Sequence, residues 1–350
     1  MKLSYYQNIF RDGFGINEPL KSIEPLSGGR IHETFLLETA ERRYILQRMN
    51  RQAFSRPTAL MENIRLITEA LQKSTYPLQV PKYLFYSSDG LFEAPDGSLF
   101  RAMEYIPHAD TEGIPLEKLS NEAGWAYGHF LCALSEVSAE KINEPIRGFH
   151  DTRGRVAMLR ESMRAHGDIA PSDMDRIEAL LRYEGKAALV QELSEKGGLP
   201  LRITHNDTKL SNVLFTSEGK AIAVVDMDTV MPGLMAYDYG DAIRSMVKTE
   251  TAFGLQLNLQ ALQAFTEGYL SATKEVRTAQ ETSHLADGIL SVTFELSVRY
   301  WTDYLSGERY FQTDYKGQCR DRAIRYTELL EEIDRNMDKI RNIIRACDAC

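Results

Sequence analysis

Two short polar strings, separated by a single β-hairpin, constrain this chain more than any other feature of its sequence. The first string is HNDTKLSN, which begins at His205, and the second is VVDMD, which begins at Val224. Two short apolar runs and a turn at Ser217–Gly219 lie between them, which is the pattern of a tight hairpin. Both strings are therefore expected at strand ends of one small sheet. Three oxygen-bearing side chains are predicted to converge there: Asp207, Asn212 and Asp226.

In the first third of the chain, the spacing of apolar residues predicts a small lobe that contains both strands and a helix. Between Ser22 and Asn50, β-branched and aromatic residues lie on both sides of polar turn residues, which predicts strands. The segment Pro57–Ser74 instead has apolar residues at helical spacing. The Asp96–Gly97 pair marks a tight turn between two further apolar runs. The order predicted for this lobe is β-β-β-α-β-β.

The apolar period changes to long helical patterns at about Pro107. We therefore predict an N-terminal lobe of residues 1–106 and a C-terminal lobe of residues 107–350, which is helical apart from a small hairpin near 203–230. The predicted fold class is α+β, with two lobes, a small antiparallel sheet in the first and a larger helical second lobe.

The composition is that of an ordinary globular protein. The chain has 350 residues, of which 43% are hydrophobic, and a formal net charge of −9. That charge repels nucleic-acid phosphates and anionic lipid surfaces, so neither is expected as a partner. No apolar run approaches the ~18 residues that a membrane-spanning helix needs. The four cysteines form no CxxC pair, and the N-terminus lacks the pattern of a secretory signal. These features favour a cytoplasmic protein, either a monomer or a homodimer.

The two polar strings resemble the catalytic loop and metal-binding loop of protein kinases, where H-R-D-x-x-x-x-N precedes a second aspartate. The resemblance implies a kinase-like fold that uses ATP and Mg²⁺. Asp207 would orient or deprotonate the attacking hydroxyl, and Asn212 and Asp226 would bind Mg²⁺. Asp228 would be either a further ligand or a group that supports the ligands from behind. The alternative is a capped turn followed by an edge strand with solvated aspartates. The combination of both strings favours the catalytic interpretation.

Three neighbouring polar residues are expected to support the loop rather than to react. His205 is predicted to hold the loop structurally. Asp238 and Asp241, in MAYDYGDAIRS, correspond to an element that ties the catalytic-loop backbone in place in kinase-like enzymes of the aminoglycoside phosphotransferase type.

The kinase resemblance also assigns a nucleotide site in the first lobe. SGGRIHET would form the turn that covers the phosphates. The third strand, YILQRMN, lacks the usual lysine, so the cation is predicted to be Arg48, with Gln47 as the alternative inward residue. Glu62 on the first helix is its candidate partner. The predicted nucleotide contacts are Gly28, Gly29, Arg30, Arg48, Glu62 and the backbone of Met103, Glu104 and Ile106.

A C-terminal string, TFELSVRYWTDYLSGERYF, together with the two motifs, resembles the N-acetylhexosamine 1-kinase branch of the aminoglycoside phosphotransferase superfamily. This implies transfer of phosphate from ATP to the anomeric hydroxyl of a hexosamine. Arg299, Asp303 and Tyr304 would then bind the sugar beside Asp207, although Arg299 and Asp303 could equally pair on a helix surface. Choline, an aminoglycoside, methylthioribose or homoserine are alternative acceptors. A nucleotide-binding module without catalysis is the alternative from another class, motivated by the missing lysine.

Overall fold

The structure of the protein is a computed structural model that describes residues 3–26, 31–51, 53–246, 248–251 and 254–349. Within these residues, no helix is both long and apolar enough to cross a membrane.

A five-stranded antiparallel sheet dominates the first part of the chain, in the strand order β1-β2-β3-β5-β4. Its strands are β1 (Ser22–Leu26), β2 (Glu33–Glu38), β3 (Arg43–Arg48), β4 (Phe92–Glu93) and β5 (Leu99–Glu104). The helix α2 (Pro57–Lys73) follows β3, and Gly97 has the positive φ of 80° that a tight turn between β4 and β5 requires. The predicted order β-β-β-α-β-β is therefore confirmed for the five strands and α2, but a further helix precedes them.

One face of this sheet packs against a helix that the sequence pattern did not predict. Helix α1 (Leu3–Phe14) buries Phe10 and Phe14 against Phe35 and Tyr44 of the sheet. The rings of Phe10 and Tyr44 meet edge to face, with centroids 5.4 Å apart. This small aromatic core is separate from the main core, to which α2 contributes together with the helical part of the chain.

The remainder of the chain is mainly helical. Its helices are α3 (Leu116–Ala133), α4 (Thr152–His166), α5 (Pro171–Leu181), α6 (Glu184–Ala187), α7 (Leu189–Glu195), α8 (Met235–Met246), α9 (Leu259–Thr273), α10 (Ala279–Ser283), α11 (Leu285–Leu305), α12 (Gln318–Arg335) and α13 (Met337–Asp348). Its strands are β6 (Arg202–Thr204), β7 (Val213–Phe215), β8 (Ala221–Val224), β9 (Met231–Gly233), β10 (Lys248–Thr251) and β11 (Gly254–Leu257). The predicted α+β fold, with a small antiparallel sheet and a larger helical part, is confirmed.

The strands of the helical part form three two-stranded ladders. Strands β7 and β8 form the predicted hairpin between the two polar strings, and β6 pairs with β9. The hairpin β10–β11 was not predicted, because we expected helix from Leu255 onward. Strands of four residues are too short for their period to be distinguished from that of a helix.

Helices α8 and α11 pack so closely that their backbones are in contact. A Cβ atom at Gly288 would lie 2.0 Å from the carbonyl oxygen of Ala236, and one at Gly240 would lie 2.4 Å from the carbonyl oxygen of Gly288. Only glycine permits the two backbones to approach this closely. The first turn of α8 is thereby held beneath the loop that follows β6.

Candidate active site

Four side chains of the two polar strings converge beside the β7–β8 hairpin. Lys209 Nζ lies 2.7 Å from Asp207 Oδ2 and 3.6 Å from Asp226 Oδ2. Asn212 Nδ2 donates to Asp207 Oδ2 at 3.0 Å and to the Asp207 carbonyl oxygen at 2.8 Å. The structure therefore brings together the three predicted residues Asp207, Asn212 and Asp226, and adds a lysine between the carboxylates.

Two residues in the left-handed backbone region shape this cluster. Asn206 has a φ of 61° and Asp226 a φ of 65°, values that residues other than glycine rarely adopt. Asn206 is buried, and its Nδ2 donates to the carbonyl oxygens of Thr229 (3.0 Å) and Thr204 (3.2 Å). These bonds hold the turn that places Asp207 at the surface of the cleft. Strained backbone of this kind concentrates at functional sites.

Asp238, in the first turn of α8, anchors the catalytic loop from below. Its carboxylate accepts the backbone N–H groups of His205 at 2.9 Å and Asn206 at 2.7 Å, and Thr208 Oγ1 donates to its carbonyl oxygen at 2.6 Å. Burial raises the pKa of Asp238 to about 7, although the two N–H donors act in the opposite direction. Asp238 thus lies where the predicted scaffold role needs it.

Asp241 has a different partner from Asp238. It forms an ion pair with Arg244 one turn along α8, within the buried face of the helix. Asp241 therefore supports the helix that carries Asp238, and does not itself bond to the loop backbone.

His205 is fully buried and joins the two polar strings. Its Nε2 lies 3.0 Å from the carbonyl oxygen of Val225, the residue before Asp226, and its ring packs against Tyr127 and Phe130. Burial lowers the pKa of His205, so the imidazole is neutral near pH 7. This environment fits the structural role predicted from the sequence.

The cluster contains more acidic than basic side chains. Burial of the Asp226 carboxyl group raises its pKa to about 6, and the negative charges of Asp228 and Asp207 act in the same direction. Burial alone would lower the pKa of Lys209, but Asp207 and Asp226 raise it, so the ammonium stays charged. One ammonium faces two carboxylates, and the excess negative potential favours a cation.

The residues at this point fit Mg²⁺ bound together with phosphates. The described part of the chain contains no cluster of three or more His, Cys, Asp or Glu side chains able to enclose a metal ion. Magnesium in phosphotransfer enzymes needs no such cage, because one or two protein oxygens, substrate phosphates and water complete its shell. Asp226 and Asn212 supply a carboxylate and an amide oxygen of the required kind.

Asp228 does not join the cluster as a free carboxylate. Arg101 Nη2 donates to Asp228 Oδ2 at 2.8 Å and Nη1 to Oδ1 at 2.5 Å, while His32 Nε2 lies 2.7 Å from Oδ2. Burial would raise the pKa of Asp228, but Arg101 and His32 hold it well below its usual value. Both oxygens are occupied by protein donors, and this corrects the expectation of a further metal ligand.

On the third strand, Gln47 and not Arg48 is the inward residue. Arg48 is exposed and pairs with Glu33 across β2. Gln47 is the inward residue, and its Oε1 accepts from Arg101 Nε at 2.8 Å. Alternation along β3 permits only one of the two to face the interior, and the neighbouring strand β5 provides the cation instead. The expectation that Arg48 faces the cleft is therefore corrected.

The predicted pairing of Arg48 with Glu62 is also corrected. Glu62 is exposed on α2, and the nearest polar contact described for it is Asn143 Nδ2, at 3.4 Å. Gly28, Gly29 and Arg30 lie outside the described residues.

Backbone groups at and just after the end of β5 form hydrogen bonds with neighbouring segments. Glu104 donates its backbone N–H to the carbonyl oxygen of Lys82 at 2.9 Å, so this donor is not free for an adenine ring. The carbonyl oxygen of Ile106 accepts from His108 Nδ1 at 2.8 Å, and Met103 pairs with Ile45 of β3.

The three residues predicted to bind the sugar are not brought together. Asp303 is buried, and its carboxylate accepts the backbone N–H groups of Arg309, Tyr310 and Phe311 at 2.8–3.0 Å. It therefore holds the loop after α11 and does not face a ligand, which corrects its predicted role. Tyr304 packs near Trp301 and His166 in the same helical layer.

Arg299 remains the one member of that group in an open polar position. Its guanidinium lies 5.4–5.7 Å from the ring centroids of Phe149, Tyr310 and Phe311, and Nη2 donates to Tyr310 Oη at 3.3 Å. The i, i+4 pair of Arg299 with Asp303 does not form, because backbone N–H groups occupy the carboxylate.

Sequence reasoning missed Lys209 and Arg101, although each left a signal. Lys209 stands inside the first polar string, two residues after Asp207. Arg101 is the one charged residue in the apolar run SLFRAM, which is unusual for a buried strand. His32 carried no comparable signal, because its partner Asp228 is 196 residues away.

A small antiparallel sheet, a larger helical part and an Asp–Asn loop facing a second aspartate define a kinase-like phosphotransferase. Residues 22–276, well over half of the chain, match the model of the Phosphotransferase enzyme family, and the chain belongs to that family. It is therefore a phosphotransferase that acts on hydroxyl groups of small molecules.

Solved structures show the same fold. Spectinomycin phosphotransferase in complex with ADP and spectinomycin is 15% identical, with a TM-score of 0.61 over 97% of this chain and 99% of that chain. The ternary complex of streptomycin, ATP and APH(2″)-IIa is 16% identical, with a TM-score of 0.59 over 96% and 98%. An aminoglycoside phosphotransferase from Alicyclobacillus acidocaldarius is 13% identical, with a TM-score of 0.59 over 92% of each chain.

Proposed function

We propose that this protein transfers the γ-phosphoryl group of ATP, with Mg²⁺, to the anomeric hydroxyl of an N-acetylhexosamine. The observation that carries the phosphotransfer is the cluster of Asp207, Lys209, Asn212 and Asp226. Lys209 lies within 3.6 Å of both carboxylates, and Asn212 bonds to Asp207 at 3.0 Å. Phosphoryl transfer needs little covalent help from a protein. It needs an aligned hydroxyl and compensation of phosphate charge, which such a cluster can supply.

Asp207 is the residue proposed to orient the acceptor hydroxyl and to accept its proton. Its Oδ2 receives bonds from Lys209 and Asn212, which fix the rotamer of the carboxylate. Asn212 uses its amide nitrogen for this purpose, which leaves its amide oxygen for a cation.

Mg²⁺ bound by Asn212 and Asp226 would supply the positive charge that the phosphates of ATP require. Asp226 contributes a carboxylate whose pKa is raised first by burial and then by the negative charges of Asp228 and Asp207. Lys209 can turn from Asp207 toward a transferred phosphoryl group, since its ammonium is partly exposed at the cleft. Residues 28–30 and the backbone at Met103 and Ile106 remain our proposal for contacts to the nucleotide.

The surroundings of Arg299 support a sugar as acceptor. Three aromatic rings border its guanidinium, and sugars bind where an aromatic wall adjoins fixed hydrogen-bond donors. Tyr310 is 66% exposed, so its ring is accessible to a ligand. The hexosamine itself is inferred from the resemblance of the C-terminal string, and Arg299 is the residue of that string that this proposal retains.

A panel of acceptors tests this proposal. Purified protein is incubated with Mg²⁺, ATP or GTP, and N-acetylglucosamine, N-acetylgalactosamine, choline, methylthioribose, homoserine or kanamycin. ADP or GDP release gives the rate, and ³¹P NMR with loss of the reducing end identifies a sugar 1-phosphate. Turnover is expected with an N-acetylhexosamine, and Asp207→Asn is expected to abolish it.

Two other results would replace the proposal. Turnover of another acceptor alone would remove the hexosamine assignment but keep the phosphotransferase. Tight Mg·ATP binding without transfer to any acceptor or to water would favour a nucleotide-binding module without catalysis.

A further inference from the structure

A pocket of about 240 Å³ lies beside the catalytic loop, in the helical part of the chain. It shares Asn206 with the loop and Phe149 with the aromatic surroundings of Arg299. Its inner wall is formed by Phe149, His150, Pro232, Gly233, Leu234 and Tyr237. The pocket thus extends from the residue before Asp207 toward the side chain that we propose for acceptor binding.

A buried carboxylate orients His150 within this wall. His150 Nδ1 lies 2.8 Å from Glu295 Oε2 on α11, and the other carboxylate oxygen accepts from Thr152 Oγ1 at 2.6 Å. Nδ1 therefore carries the hydrogen of the ring in its neutral form. The second nitrogen, Nε2, is buried and has no hydrogen-bond partner within the described residues.

Tyr237 lines the same pocket and carries a second buried polar atom. Its ring stacks on His150 with centroids 4.5 Å apart, and its side chain is almost wholly buried. In the part of the chain that the structure describes, Tyr237 Oη has no hydrogen-bond partner of good geometry. The nearby Thr152 hydroxyl donates to Glu295 and could offer Tyr237 only an acceptor. Buried polar groups are normally paired, so two such atoms in one pocket wall indicate a missing ligand.

The chemistry of these atoms limits the ligand. A hydroxyl group can both donate and accept, and so can pair with an imidazole nitrogen and a phenol at once. An ammonium group only donates, and it would need carboxylates. Of the three carboxylates that line the pocket, Asp151 accepts from Gly154 N and Glu195 pairs with Arg153. Only Glu144 is then left among these lining residues, which is too little negative charge for a polycation.

The size of the pocket limits the ligand further. Pockets for drug-sized molecules have volumes of roughly 300–1,000 Å³, and this pocket is smaller. A single sugar ring is the kind of ligand that fits, whereas a polycation of several rings does not.

We infer that this pocket receives the ring of the acceptor, a neutral, hydroxyl-rich monosaccharide, through His150 Nε2 and Tyr237 Oη. This inference rests on the proposed function and names the residues that select its substrate class. Asn206 and Gly233 join the pocket to the catalytic loop, so a ring bound there can direct one hydroxyl toward Asp207.

The variant Tyr237→Phe tests the inference, because it removes only a hydroxyl for which the described residues provide no hydrogen-bond partner of good geometry. We expect the KM for the acceptor to rise about tenfold, with kcat and the KM for ATP changed less than about twofold. Tyr269→Phe is the matched control. Tyr269 on α9 is equally buried and its hydroxyl also lacks a partner within the described residues, but it does not line the pocket. This control should leave every kinetic constant unchanged.

Deoxy analogues of the acceptor identify the contact. One analogue, deoxygenated at C3, C4 or C6, should lose about as much affinity with the unaltered enzyme as the natural sugar loses with Tyr237→Phe. That analogue should show no further loss with the variant. Equal acceptor KM values for Tyr237→Phe and the unaltered enzyme would overturn the inference while sugar phosphorylation, and with it the proposed function, stands. Turnover restricted to multi-ring polycations would overturn both.

Discussion

Arg101 and Asp228 form a bidentate ion pair in the interior, where neither side chain is more than 4% exposed. The pair joins β5 of the sheet to the loop that carries Asp226. Gln47 Oε1 accepts from the third guanidinium nitrogen, and His32 donates to Asp228 because its Nδ1 accepts from the backbone N–H of Asn50. The buried cation of this sheet thus lies on β5 and not on the third strand, and it holds the loop that carries Asp226.

Removing one partner of this pair should be costly. Arg101→Met leaves a buried carboxylate without its counter-ion, and we expect a loss of about 3–5 kcal/mol in the free energy of unfolding. Urea denaturation measures the loss. Arg51→Gln is the matched control, because Arg51 pairs with Glu93 at half-exposed positions of the same part of the chain. That control should cost less than about 1 kcal/mol. A similar small loss for Arg101→Met would contradict the role of the ion pair.

Replacing Lys209 should impair catalysis much more than stability. Lys209→Met removes the ammonium between Asp207 and Asp226, and we expect kcat to fall about 10²–10³-fold. The free energy of unfolding should change by less than about 1 kcal/mol, since the pair with Asp207 is partly exposed. Steady-state kinetics and thermal unfolding measure the two effects. Lys220→Met, which removes a lysine from the nearby β7–β8 turn, serves as the control. Unchanged kcat in Lys209→Met would contradict the prediction.

Asp226 should oppose folding at neutral pH in the absence of Mg²⁺. Its pKa is raised to about 6 in the folded protein, from about 3.9 in an unfolded chain. Between these values the folded state binds more protons, so the free energy of unfolding contributed by this group decreases as pH rises from about 4 to 6. Asp226→Asn should therefore be more stable than the unaltered protein above pH 7, by about 1–2 kcal/mol after allowance for solvent screening.

The measurement for Asp226→Asn is denaturation with a chelator at pH 4.5 and pH 8. At the lower pH the difference between the two proteins should be only about a third of the difference at pH 8, because most of the titration of this group in the folded state lies above pH 4.5. The variant should also lack phosphotransferase activity. A variant less stable than the unaltered protein at pH 8 would show that the carboxylate is stabilising, contrary to this prediction.

The loop after α11 depends on Asp303. Asp303→Ala removes the acceptor of three backbone N–H groups, and we expect a loss of about 2–4 kcal/mol in the free energy of unfolding. Because Tyr310 and Phe311 then lose their position beside Arg299, the KM for the acceptor should also rise. Asp314→Ala, in an exposed part of the same segment, is the control for both measurements. An unchanged acceptor KM in Asp303→Ala would separate this loop from acceptor binding.

The sequence by itself determined the local parts of the fold and of the site. The spacing within HNDTKLSN and the hairpin before VVDMD were sufficient to place Asp207, Asn212 and Asp226 together, because a short ladder leaves the chain few ways to connect them. The Asp96–Gly97 turn and the period of α2 were equally local signals. Helix α1 and the hairpin β10–β11 were not predicted, since the evidence for them lies in what they pack against.

Tertiary structure alone decided the partners of the charged side chains. Alternation along β3 shows that Gln47 and Arg48 face opposite ways, but only the register with β5 turns Gln47 inward to Arg101. Arg101 lies 127 residues from Asp228 in the chain. Asp303 was predicted to bind the sugar, but in the structure it accepts backbone N–H groups of the loop that follows α11. A charged side chain pairs with whichever group the packed backbones bring within about 3 Å. Sequence periodicity reports only neighbours along the chain, so it cannot predict a partner more than a hundred residues away.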